Sequence, residues 1–159
     1  MQTDIKVPVK RLHKDAVIPS YAHSGDGGMD LTSISVNRTG SFIEHGTGLA
    51  VAIPRGYVGL LFPRSSISKK DLSLANAVGI IDQSFRGEIK LRFKNAIVFS
   101  ELEIEELGNE ILDQGYDEYN VGDKIGQIMI IPRPEVMFEE VDDLSDTERG
   151  GGGFGSTGN

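Results

Sequence analysis

An all-β sandwich or barrel is the fold class this sequence predicts, on three observations. Short apolar runs recur along the chain, glycine turns punctuate them, and helix signals are few. Ile5 to Lys10 alternates with period 2, as a half-buried strand does. Leu49 to Pro54 forms a second run, closed by a turn at Arg55-Gly56, and Tyr57 to Phe62 forms a third. Glu88 to Lys94 alternates cleanly, with Ile89, Leu91 and Phe93 on one face. Lys124 to Ile131 is a near-continuous apolar run, the pattern of a strand buried on both faces. Turn residues are expected at Gly25 to Gly28, Gly40, Gly46-Thr47-Gly48, Gly79, Gly87 and Gly122-Asp123. One helix is predicted over 101–113, because Ser100 and Glu103 have capping-box spacing ahead of Leu107 and Ile111. Gly108 weakens it.

A length of 159 residues suits one domain with a full core. There is no Cys, which excludes disulfides, thiolate catalysis and cysteine metal sites. No run approaches the roughly 18 apolar residues of a membrane helix. Met1 to Lys10 lacks the apolar core of a signal peptide, so a cytosolic protein that meets no membrane is expected. The net charge of −8 argues against direct nucleic-acid binding through phosphates. That charge is concentrated: residues 101–118 hold eight acids and no base, and Glu135 to Glu148 holds seven acids and no Lys or Arg. The plain reading of both is a solvated face.

Five segments interrupt the strand patterns with polar residues. In Gly27 to Ser33, Asp30 starts a strand among apolar neighbours, either as a turn aspartate or as a functional carboxylate. Pro63-Arg64-Ser65-Ser66 follows an apolar strand and offers a guanidinium and two hydroxyls to an anion, or is an ordinary polar turn. Leu74 to Glu88 reads as a hairpin with an apolar centre, and its Asp82 directly follows Ile80-Ile81. A carboxylate beside buried aliphatics needs a partner or a task. Gln127, inside an apolar strand, must have its amide satisfied, most simply across the strands. Arg149 to Gly158 is a glycine-rich tail around Phe154. No Lys precedes Ser156 and no helix can follow, so a P-loop is rejected. An RNA-binding tail is a poor match with one Arg in an acidic chain. What remains is a strip of backbone N–H groups suited to wrapping phosphates, or a plain tail.

The order and spacing of these five segments resemble the five motifs of the trimeric dUTPase family, over Asp30 to Gly158. GIID with an aromatic three positions later, and the terminal GFGSTG, are the most specific. The resemblance implies a jelly-roll-like β-barrel over residues 1–148, a flexible tail over 149–159, and a homotrimer whose active sites are shared between chains. One chain would supply Asp30, Arg64-Ser65 and Gln127, a second Asn76 to Phe85, a third the tail. It implies hydrolysis of dUTP to dUMP and pyrophosphate with Mg²⁺, keeping uracil out of DNA and supplying dUMP for dTMP synthesis. Asp82 would activate the water attacking the α-phosphorus, and Asp30 would neighbour the metal through water. Arg64, Ser65, Ser66, Lys90, Gln127 and Arg149 would bind substrate. Asn76 and the backbone around Gly79, Ile80 and Ile81 would read the uracil edge. Phe85 would lie against the sugar and disfavour a ribose hydroxyl, which would lose a hydrogen-bond partner at a cost of about 1–3 kcal/mol. Phe154, with Gly155, Ser156 and Thr157, would close over the nucleotide.

Three features depart from the common family pattern. Phe85 stands where Tyr is usual, which keeps the ring. Ser66 stands where Gly is usual, and Arg-Ser-Ser also occurs in dCTP deaminases of the same fold. Those enzymes use a Glu ten residues after the hairpin Asp, where this chain has Arg92, a cation unable to carry that proton. Third, residues 96–119 form an insert resembling the extra segment of dUTPases from phages of Gram-positive bacteria. Some of those proteins bind bacterial regulatory proteins, so the acidic insert suggests a nucleotide-switched docking element as well as an enzyme, or a surface excursion with no partner.

Overall fold

The computed structural model describes residues 4–95 and 118–152. Its strands are β1 (Val9–Arg11), β2 (Met29–Thr32), β3 (Ser35–Arg38), β4 (Ile43–Gly46), β5 (Leu49–Val51), β6 (Tyr57–Phe62), β7 (Leu72–Leu74), β8 (Gly79–Ile81), β9 (Lys90–Asn95) and β10 (Lys124–Pro132). Among the described residues the one helical element is a 3₁₀ turn, Ser65–Lys69. No helix there is long and apolar enough to cross a membrane. The helix expected over 101–113 lies outside the described residues.

Two four-stranded sheets, ordered β2-β10-β6-β8 and β3-β4-β9-β7, share one core, and a small β1-β5 pair flanks them. Every pairing among the described residues is antiparallel. The all-β expectation holds, in the jelly-roll-like form. Period-2 patterning explains the core: Ile89, Leu91 and Phe93 are fully buried while Lys90 and Arg92 face out. Leu31, Leu61, Ile81, Ile125 and Ile128 meet them from the other sheet. Burying an aliphatic or aromatic side chain stabilises by roughly 1.5–3 kcal/mol, so this seam is the main stabilising term. Gly126 is the point of closest approach. A Cβ there would strike Leu91 and lie 2.9 Å from the Phe62 carbonyl.

Several local expectations shift. The first strand covers Val9–Arg11 and not Ile5 to Lys10, because Pro8 has no N–H to give a ladder; its carbonyl still accepts from Ala52 N–H at 2.9 Å. Strand β5 stops at Val51, short of Pro54. Gly46 and Gly79 sit inside strands, not turns. Each lets a neighbour approach closely, Glu88 at Gly46 and Leu61 at Gly79. Strand β10 is central and pairs on both edges, but Met129, Ile130 and Ile131 remain half-exposed. Beyond it, residues 133–148 form no strand and expose Met137 (93%), Phe138 (99%) and Leu144 (87%).

The largest correction concerns Leu74 to Glu88. It is no hairpin. Strand β7 pairs β9 while β8 pairs β6, so Ala75 to Val78 crosses from one sheet to the other. Local apolar patterning cannot distinguish a strand that returns on its neighbour from one that changes layer.

Candidate active site

The predicted residues gather in separate places on one chain. The first is ionic. Strands β2 and β10 pair with Gln127 opposite Asp30, and Gln127 also lies opposite Phe62, just before Pro63-Arg64. That register collects the side chains. Arg64 Nε donates to Asp30 Oδ1 at 3.0 Å, Gln127 Nε2 to the same oxygen at 3.4 Å, and Lys124 Nζ meets Oδ2 at 2.8 Å. The Asp30 side chain is only 12% exposed. Burial pushes its pKa up, but hydrogen bonds from Lys124 and Gln127 and the charges of Arg64 and Lys124 outweigh that and hold it below the ordinary value. Two cations around one carboxylate leave a net positive island suited to a polyanion. Ser65 is exposed and Ser66 half-buried in the 3₁₀ turn, which Ile67 N–H closes on the Arg64 carbonyl at 3.0 Å.

Lys124 escaped sequence reasoning. Counting back three residues from Gln127 puts it on the opposite strand face, but a bulge between Lys124 and Gly126 adds a residue and turns it toward Asp30.

The second place is a cleft of about 500 Å³ where the chain crosses between sheets. Asn76, Gly79, Ile81, Phe85 and Lys90 line it together with Glu44, Glu88 and Arg92. Ala77 takes the left-handed conformation at φ 57°, and Val78 N–H donates to the Asn76 carbonyl at 2.6 Å, so the turn is tight. The Phe85 ring rests over Gly87, where a Cβ would meet it at 2.7 Å. Ile81 is buried, whereas Ile80 is 65% exposed and outside the cleft lining. Glu44, also unforeseen, is the carboxylate at the cleft floor. Its Oε1 accepts from Lys90 Nζ and its Oε2 from Arg92 Nε, both at 2.8 Å. Those bonds hold its pKa below the ordinary value against the opposing effect of burial.

Asp82 is exposed beside this cleft and shares a hollow of about 630 Å³ with Gln83, Ser84, Arg86 and Arg133. Its expected setting among buried aliphatics is corrected: Ile80 turns outward, so the carboxylate needs no partner, and no described residue donates to it. Phe85 N–H closes the turn on the Asp82 carbonyl at 3.1 Å, and an Arg86 nitrogen donates to the Gln83 and Phe85 carbonyls at 2.7 Å each. Arg149 is exposed, with Nε donating to the Gly152 carbonyl at 2.9 Å. Phe154, Gly155, Ser156 and Thr157 lie outside the described residues, as does nearly all of the 96–119 insert.

The donor set limits any metal. Among the described residues no three His, Cys, Asp or Glu side chains gather. Asp30 already accepts from three donors, and a carboxylate has about four lone-pair sites. That fits Mg²⁺ held mainly by phosphate oxygens and waters, with Asp30 reached through water, and does not fit an all-protein cage.

A family profile described as dUTPase matches residues 14–101. A deoxyuridine 5'-triphosphate nucleotidohydrolase of Rhodococcus erythropolis is 38% identical over 99% of this chain and 89% of its own length. A mutant dUTPase of Staphylococcus bacteriophage 80alpha, solved with dUpNHpp, is 31% identical at a TM-score of 0.74, covering 97% of this chain and 99% of its own. That work ascribes to phage dUTPases control of virulence-gene transfer by a G protein-like mechanism. The dUTPase of phage phi11 of S. aureus, described with a structural Mg(II) ion, is 25% identical at a TM-score of 0.66, covering 88% of this chain and 99% of its own.

Proposed function

This chain belongs to the dUTPase family, and on that premise we propose that it hydrolyses dUTP to dUMP and pyrophosphate at sites shared by three chains. The observation that carries the reading is the cleft between the sheets, where the segment from Asn76 through β8 to Phe85 brings a polar amide, a close-packed glycine and an aromatic ring beside Asp82. The cleft's dimensions suit a nucleoside. In this reading Asn76 and the Gly79 to Ile81 backbone bind uracil, and Phe85 lies against deoxyribose. Asp82, exposed and without a donor among the described residues, takes the proton of the attacking water. The new bond joins water oxygen to the α-phosphorus, and the α–β bridging oxygen leaves with pyrophosphate. Arg64, Ser65, Ser66, Gln127 and Arg149 bind the phosphates. Mg²⁺, when bound, neutralises phosphate charge, with Asp30 as its water-mediated neighbour.

The division of the predicted residues supports sharing. Asp30, Arg64 and Gln127 cluster together, while Asn76, Phe85 and Lys90 line a cleft that contains none of them. The exposed Met137, Phe138 and Leu144 also present apolar surface that a neighbouring chain would cover. Residues 1–148 are the barrel in this proposal, and 149–159 are the tail that closes over nucleotide. A cytoplasmic setting belongs to the same proposal. A pyrophosphate-release assay across dUTP, dCTP, dTTP and UTP tests the function. Selective turnover of dUTP is expected, and equal use of all four would replace the reading with a general nucleotide pyrophosphatase.

Glu44 also bears on the deaminase alternative. It places a carboxylate in the cleft beside Arg92, but two cations keep it ionised, so it is a poor proton carrier. Ammonia release from dCTP would overturn this. A second role in binding a regulatory protein through residues 96–119 is supported by their acidity and by the mechanism ascribed to the phage dUTPases. Deleting 98–118 should abolish capture of such a partner while dUTP turnover persists.

A further inference from the structure

We propose that Glu44 is a positioning residue for nucleotide binding, holding Lys90 and Arg92 in fixed places on the floor of the inter-sheet cleft. The inference rests on the assignment of that cleft to the nucleotide. Its basis is the geometry of one strand pair. Strands β4 and β9 are antiparallel, with Glu44 opposite Arg92 and Lys90 two pairs further along, opposite Gly46. Lys90 and Arg92 are two residues apart on a strand, so they project from the same face and repel each other. Glu44 lies across from Arg92 and diagonally from Lys90, and one of its oxygens accepts from each at 2.8 Å.

Arg92 is fixed twice, since its guanidinium carbon also lies 4.4 Å from the centre of the Phe42 ring. Lys90 has a second carboxylate nearby, Glu88 Oε2 at 3.8 Å, but Glu88 Oε1 is committed to the Gly48 N–H at 2.7 Å. The charged groups facing Lys90 are therefore Glu44 from β4, Glu88 just before β9, and Arg92 on β9 itself. Of these, the Glu44 hydrogen bond does most to raise the Lys90 pKa. An ammonium has three N–H donors. With one given to Glu44, Lys90 keeps donors for an electronegative atom of a bound nucleotide, and it does so without a search over lysine rotamers. Gly46 makes the arrangement possible: a Cβ there would lie 2.7 Å from Glu88 Oε1.

The test is a double-mutant cycle in steady-state dUTP hydrolysis, with Glu44→Gln, Lys90→Met and both together in the full-length chain. Glu44→Gln should raise KM roughly tenfold, the scale of one charge-assisted hydrogen bond, while kcat changes less than twofold. Its alkaline limb in kcat/KM should move to lower pH, because Lys90 loses the partner that keeps it protonated. In the Lys90→Met background the same change should add little. Multiplying effects in the double variant, or an unmoved alkaline limb, would overturn the proposal. A KM unchanged in Lys90→Met would remove the assignment of Lys90 to the substrate, which is a failure of the underlying reading. A raised KM in Lys90→Met with none in Glu44→Gln would sink only the positioning role. Should Glu44→Gln prove poorly folded by its Tm, Glu44→Asp serves in its place and should give an intermediate KM and an intermediate pH limb; wild-type values for both would equally reject the idea.

Discussion

Asp30 and Asp82 are both aspartates beside apolar strand residues, yet their surroundings differ in kind. Asp30 is nearly enclosed by Arg64, Lys124 and Gln127, whereas Asp82 stands in solvent with no described donor. The first suits a fixed structural anion, the second a base that must exchange a proton with water. Asp82→Asn is expected to lower kcat by about 10²–10⁴, the usual worth of a general base, while affinity for a non-hydrolysable dUTP analogue by calorimetry changes little. For Asp30 the sign runs with acid. Its folded pKa is depressed, so its stabilisation is full above about pH 4 and is lost as pH falls through the lower folded value. The Tm followed by circular dichroism should therefore fall as pH is lowered below about 4 in wild type, and Asp30→Asn should flatten that acid limb. The sequence made Asp30, Arg64 and Gln127 legible because polar residues stand out against apolar strands. It hid Lys124 behind a bulge and Glu44 behind a pairing made 46 residues away along the chain.

At the scale of elements, the runs around Tyr57 to Phe62 and Ile89 to Phe93 were legible, while those carrying a proline, Ile5 to Lys10 and Leu49 to Pro54, were read with the wrong limits. Strand β6 matches its predicted limits, and the three expected residues are buried, Leu91 and Phe93 on β9 and Ile89 just before it. What no local pattern carried was the partner of each strand, so the crossing from β7 to β8 looked like a hairpin. The contact at Gly126 shows how tightly the two layers fit. Gly126→Ala should destabilise the protein by about 1–3 kcal/mol, measured by urea unfolding, because the added methyl meets both Leu91 and a backbone carbonyl that cannot rotate away. Ile125→Val, which removes one methyl from a fully buried position next to it, should cost about 0.5–1.5 kcal/mol.

For the molecule as a whole, His45 sets a limit on the acid side. It is fully buried, with Nδ1 2.9 Å from Ser33 Oγ and its ring edge-on to Phe93 and Tyr119. Burial, aided by the charge of Arg38, lowers its pKa against the weaker pull of Glu118 and Asp123. The unfolded chain thus takes up this proton first, and stability should decline as pH falls below about 6.5 toward the depressed folded value. Thermal unfolding between pH 7 and pH 5 should show that decline in wild type and a shallower one in His45→Gln. Shared sites make a separate prediction. Asp82→Asn chains co-expressed with chains truncated before Arg149 should recover about a quarter of wild-type activity if base and tail come from different copies assorting at random in a trimer. Activity no greater than that of either variant alone would show each chain to be self-sufficient. Composition and motif order made the barrel and the family readable, but not which surfaces meet.

Because Leu72–Leu74 and Gly79–Ile81 belong to opposite layers, the aperture between them is gauged by the thickness of the protein's interior and not by any single loop. Side chains such as Phe93 and Ile125, wholly buried and outside the cleft lining, act as spacers for that aperture. Affinity can therefore drift through substitutions that touch nothing a ligand touches, and a screen for weakened binders should return interior positions alongside those on the cleft wall.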